Sequence, residues 1–187
     1  MDADFSIELG QDDPVLDLPW KDPAGKLVYL DLKRQPDLIA LLEEARVFPE
    51  LERFLQAVNS GRSIMETAKC DAWVTTELSI EEEIHEASHK FASYTDVVFS
   101  DLDNRSSFSL HEEFAQKLAE LLRQAPEIEA AAEVCVRRCY SEDAGHVREG
   151  FYFTLYMNGY GQDSGRARQN WAVGLKLIAN AIEQVSR

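Results

Sequence analysis

Between Lys69 and Leu78 hydrophobic and polar side chains alternate. Cys70, Ala72, Val74, Thr76 and Leu78 fall on one side, and Lys69, Asp71, Trp73, Thr75 and Glu77 on the other. A period of two over this length predicts a strand from Thr67 to Leu78 with one buried face. Runs bounded by turn residues predict further strands at Lys26 to Leu32, Phe91 to Ser100, Ala130 to Tyr140 and Gly150 to Asn158. The last two are joined across Asp143-Ala144-Gly145.

The helices show the longer period. Trp171, Leu175, Ile178, Ile182 and Val185 recur at spacings of four and three, one apolar stripe on a helix from Arg166 to about Val185. The capping pair Ser109 and Glu112 opens a second helix, with Phe114, Leu118, Leu121 and Leu122 inward. A third runs from Asp37 to about Asn59. Pro49 lacks the amide a helix interior needs, so two pieces are expected, meeting at Phe48. Ser79 and Glu82 form another capping pair, which predicts a short helix from Ile80 to Phe91. The first 25 residues are turn-rich and read as an irregular N-terminal arm, with one short strand near Phe5 to Leu9 and Trp20 pinning it to the body.

The order β-α-β-β-α-β-β-α predicts a single α+β domain over residues 1–187, an antiparallel-rich sheet with helices packed on one face. Its first six elements follow the β-α-β-β-α-β order of a ferredoxin-like core.

Charge bounds the choice of partner. The 187 residues include 34 acidic and 19 basic side chains, a net charge of −15. Such a field repels nucleic acid and anionic membranes and attracts basic proteins and metal ions. The acidic start, Met1 to Phe5, lacks the pattern of a signal peptide, and no apolar run approaches the roughly 18 residues of a membrane span. Three cysteines without a C-x-x-C pair suit buried, reduced thiols. A cytoplasmic protein is expected, and a homodimer is compatible with everything above.

His85-Glu86-Ala87-Ser88-His89 spells H-E-x-x-H, and over these five residues it resembles the zincin metallopeptidase signature. On a helix the two imidazoles share one side. The resemblance implies zinc on His85 and His89, water activation by Glu86, and a third ligand at Glu112 or Glu113. Glu83 and Lys90 depart from the uncharged surroundings of that motif. The other reading is a solvated helix face carrying two histidines.

A second candidate follows the strand at Gly150 to Asn158. Gly159, Gly161 and Ser164 make a glycine-rich turn ahead of the last helix, with Arg166 and Arg168 beside it, and exposed amides there suit an anion or a partner. A third is the row Tyr152, Tyr156 and Tyr160, which alternates with Phe151, Phe153 and Leu155. This makes one strand face apolar and the other aromatic and polar, a surface suited to a protein partner. Arg137 and Arg138 interrupt an apolar strand, so one must face out unless it is paired. The expected function is a non-catalytic binding or regulatory protein acting on a protein partner without a cofactor; the alternative is a zinc-dependent hydrolase.

Overall fold

The long hairpin of β5 (Ala130–Asp143) and β6 (His146–Gly161) forms the centre of the structure. The computed structural model describes every residue except Pro23, Glu81, Glu83, Ile84, His85, Ala144 and Arg187. β4 (His89–Phe99) runs antiparallel to β6, and β3 (Met65–Thr75) antiparallel to β4. On the far side, β1 (Asp2–Glu8) and β2 (Val15–Leu18) lie one after the other along β5, both parallel to it. The sheet path is β1-β5-β6-β4-β3, with β2 beside β5.

The expected α+β class, with an antiparallel-rich sheet and helices packed against it, holds. Its first strand differs. Lys26 to Leu32 is irregular, because the amides of Lys26 and Leu27 donate to the Asp22 carboxylate at 2.7 and 3.0 Å and so close a loop. The arm, expected to hold one short strand near Phe5 to Leu9, supplies two: β1 overlaps that position and β2 follows it. Their parallel partner lies more than a hundred residues away, a pairing that local pattern cannot announce. Because β1 sits at the sheet edge, the path is also not that of a ferredoxin-like core, where the first strand is internal.

The break at Phe48 is present: a 3-10 turn at Pro36–Leu41 leads into α1 (Glu43–Val47), and Pro49 opens α2 (Pro49–Val58). α3 (Leu102–Arg105) is one turn capped by Asp101. α4 (Phe108–Arg123) is capped two residues earlier than expected, since Ser107 and not Ser109 accepts the Leu110 amide. α5 (Ser164–Val185) is capped by Asp163.

α2, α4 and α5 bury their apolar stripes against Phe91, Val97 and Phe99 of β4 and Phe153, Leu155 and Met157 of β6. Trp171 is fully buried there and its Nε1 donates to Ser93 Oγ at 2.8 Å. His111, also fully buried, stacks on Phe153 and meets Phe99 edge-on. Its Nδ1 lies 2.8 Å from the Ser107 carbonyl, and burial depresses its pKa to about 4.

Both outer strands are blunted by carboxylates that fold back on the backbone: Asp4 accepts from the Phe5 amide and Asp71 from the Ala72 amide. Lys33 takes the Met65 carbonyl and Asn59 the Thr67 amide, closing more of the β3 edge against stray strands.

Candidate binding face

Strand alternation places a second set of side chains on the side away from the three long helices. From β6 come Tyr152, Thr154, Tyr156, Asn158 and Tyr160; opposite them on β4 stand Val98, Asp96, Tyr94, Ala92 and Lys90. β5 adds Arg137, Cys135 and Glu133, and β3 adds Lys69, Asp71 and Trp73. One end of this face is covered by Leu16, Leu18 and Trp20, packed with Val98, Cys139 and Tyr152. The opposite end is crossed by the turn at Ser79 and Glu82.

A polar chain occupies the middle. Arg137 Nη1 donates to Thr154 Oγ1 at 2.9 Å and to the Tyr156 hydroxyl at 3.1 Å, and Thr154 Oγ1 donates to Asp96 Oδ1 at 2.7 Å. Arg137 also grips Glu8 through Nε and Nη2, at 2.8 and 2.6 Å. Asp96 is only 6% exposed and Arg137 8%. Burial raises the Asp96 carboxyl to about 6, against the opposing pull of the Thr154 hydroxyl, Lys69 and Arg137. Burial, then Asp96 and Asp71, pushes the Tyr94 phenol above its ordinary value.

Aromatic rings of the face also hold cations. Lys69 Nζ stands 5.4 Å from the Trp20 ring and 5.5 Å from that of Tyr94, and Arg137 lies over Tyr156 at 5.6 Å. The Tyr94 and Tyr156 rings are 6.5 Å apart, both half-buried. At the far end Glu82 accepts from Lys90 at 2.8 and 2.9 Å, from the Tyr160 hydroxyl at 2.8 Å, and from the Ser79 amide at 2.8 Å. That last bond is the backward arm of the expected capping pair, anchored here to the sheet.

The tyrosine row therefore divides. Tyr152 and Tyr160 are buried, under the Leu16–Trp20 segment and the Glu82 cluster, and Tyr156 reaches the surface between them. Of the two arginines that interrupt this strand, Arg137 is the buried one and is paired with Glu8, while Arg138 is half-buried. Asp96 was not singled out in the sequence, although a carboxylate within Tyr94-Thr95-Asp96-Val97-Val98 is the kind of interruption that marks a buried polar site.

The glycine turn is assembled differently from an open anion cradle. Gly159 and Gly161 belong to β6 and let α5 approach. A Cβ on Gly159 would meet the Trp171 and Ala167 backbone, and one on Gly161 would lie 2.6 Å from the Ala167 amide nitrogen. Asp163 caps the helix by accepting from the Arg166 amide, and Ser164 is the first residue of α5. Arg166 contacts Gln169, while Arg168 is drawn to Glu50 at 2.8 Å and lies over Phe48.

The H-E-x-x-H string is not one helix. Glu86 has φ of +47° and His89 opens β4, paired with Gly161, so the helix expected to reach Phe91 stops short; strand pairing with β6 outweighs the local helical pattern. His85 lies outside the described residues. Glu112 is exposed on α4, and Glu113 holds Lys117 at 2.6 Å. His89 stands on a strand and not on the expected helix. Among the described residues no three His, Cys, Asp or Glu side chains gather where an ion could be held.

A cleft of about 570 Å³ between the ends of α2 and α5, lined by Ala57, Arg62 and Asn180 among others, gathers no buried ionisable group. No helix among the described residues is long and apolar enough to cross a membrane. Comparison with protein-family models, curated proteins and solved structures finds no match.

Proposed function

We propose that this is a non-catalytic binding or regulatory protein of the cytoplasm that receives a basic protein partner on the face centred on Asp96, Tyr94 and Tyr156. The observation that carries this reading is the buried Asp96–Thr154–Arg137 chain beneath half-exposed aromatic rings. An apolar layer at these positions would be at least as stable, because desolvating charge costs more than its pairing returns. Charges kept in such a place point to use.

The sign of the partner follows from the ion balance. Arg137 is committed to Glu8 and Lys90 to Glu82. Among the described residues of the face, Asp71, Asp96 and Glu133 then stand against Lys69 alone, within a chain of net charge −15. Tyrosines with an apolar body and a polar tip suit a protein surface that is partly wet. The three cysteines are free, and burial lifts Cys135 and Cys139 to about 11, which keeps them as inert thiols.

Affinity capture from cell extract with the wild-type chain and with the double variant Tyr94→Ser, Tyr156→Ser tests the reading. Both side chains are half-buried, and a circular-dichroism spectrum matching that of the wild type is the folding control. A basic protein held by the wild type and reduced at least tenfold with the variant is expected. Equal capture by both chains, or strong hydrolase activity of the purified protein alone, would contradict the proposal.

A further inference from the structure

A groove of about 420 Å³ lies on the same face, lined by Ser79 and Glu82 together with residues of β4, β5 and β6. Building on the binding-face reading, we infer that this groove takes the side chain of one arginine or lysine of the partner, with its cation at Glu133.

One wall is already neutral. Glu82 holds Lys90 through both carboxylate oxygens and also accepts from Tyr160, so neither charge of that pair remains for a ligand. The floor includes Ala131 and Asn158, directly paired across the hairpin, and the alanine leaves room for the methylene stem of a long side chain. Tyr156 and Glu133, the next pair along the hairpin on this face, also line the groove. Glu133 is exposed, and the one hydrogen bond it accepts comes from the neutral Ser6 hydroxyl at 2.8 Å. No cation pairs with it among the described residues. The groove therefore carries one negative charge beyond its internal pair, on an exposed side chain that an inserted cation can reach.

An anion is disfavoured on the same geometry. Its natural counterion, Lys90, is spent on Glu82, and Arg137 beneath Tyr156 is spent on Glu8. A neutral apolar side chain would leave Glu133 to be desolvated without compensation. The volume lies within the range of roughly 300–1,000 Å³ usual for small-molecule sites. Because the groove is open along one side, it holds the end of a tethered chain better than a free ligand.

The test uses the full-length, nitrogen-15-labelled chain and three capped glycine pentapeptides whose central residue is arginine, lysine or citrulline, the last a neutral isostere of arginine. Amide shifts at residues 131–133 and 156–160 are followed for the wild type and for Glu133→Gln. The arginine and lysine peptides are expected to move these amides. Citrulline, or arginine with the variant, should bind about fivefold more weakly, the size of one partly exposed ion pair. Equal binding of citrulline, an unaffected Glu133→Gln variant, or silence in the groove would each overturn the inference. Shifts confined to the Tyr94 and Asp96 region would overturn it and leave the wider face intact as a binding surface. Loss of partner capture with an unchanged peptide response would reverse that outcome.

Discussion

Gly159→Ala costs at least about 3 kcal/mol in urea unfolding, because an added methyl would press on the backbone of α5 itself. Its Cβ would lie 2.7 Å from Trp171 Cα and closer still to the Trp171 nitrogen and the Ala167 carbonyl. Backbone cannot step aside as a side chain can, so α5 must lift from β6. That separates Trp171 from Ser93 and from its ring partners Phe48 and Phe91. Gly174→Ala is the control: the added methyl meets the tip of Met157, a flexible side chain that can turn away. A loss at 159 no greater than at 174 would show that the close helix–strand contact is not required.

The second large effect is a pair of opposing pH dependences. His111 has its pKa lowered from 6.5 to about 4, so the folded state resists a proton that the unfolded chain accepts. Its contribution to stability is complete above pH 6.5 and declines as the pH falls to 4, by about 3 kcal/mol in all. Asp96 runs the other way. Its carboxyl is raised from 3.8 to about 6, so ionisation penalises the fold above pH 6, and the penalty of about 3 kcal/mol is relieved as the pH drops toward 3.8. In the wild type the two largely cancel.

Single variants expose them. Asp96→Asn keeps an acceptor for Thr154 and is expected to be more stable than wild type at pH 7.5 by up to about 3 kcal/mol, an advantage that vanishes near pH 4. His111→Phe keeps the aromatic packing and gains on the wild type progressively below pH 6.5. Denaturant unfolding from pH 4 to 7.5 measures both. An Asp96→Asn chain weaker than wild type at neutral pH, or a His111→Phe difference independent of pH, would contradict these assignments. A stabilising change at Asp96 is also what a site retained for binding should show.

Much of the fold was legible because its signals are local. The stripe from Trp171 to Val185, the break at Pro49, and the alternation around Cys70 and Trp73 each report which side of an element is buried, and each element is present. What sequence could not convey was pairing at a distance. β1 and β2 are short, and what makes them strands is β5, whose residues 131–141 lie far along the chain. Lys26 to Leu32 has the composition of a strand, but Asp22 takes two of its amides, and Leu27 and Val28 face solvent.

The site divides along the same line. Alternation in β6 was enough to place Tyr152, Tyr156 and Tyr160 on one face, and the apolar setting of Arg137 and Arg138 meant that one of them faces out unless it is paired. Which counterion, and the joining of Arg137 to Asp96 through Thr154, depends on three strands meeting in register. The H-E-x-x-H string, whose His85 lies outside the described residues, resists a reading from sequence for a related reason. Its spacing has meaning only on a helix, and β6 draws His89 into a strand.

The central claim, that the protein meets its partner on the aromatic and polar face and not on its helical side, is tested most directly by photo-crosslinking in cells. A benzophenone amino acid is placed in turn at position 94, at position 156, and at the exposed position Val173 on α5. The account predicts the same discrete adduct from 94 and 156 and none from 173. Adducts from 173 alone, or from none of the three, would contradict it.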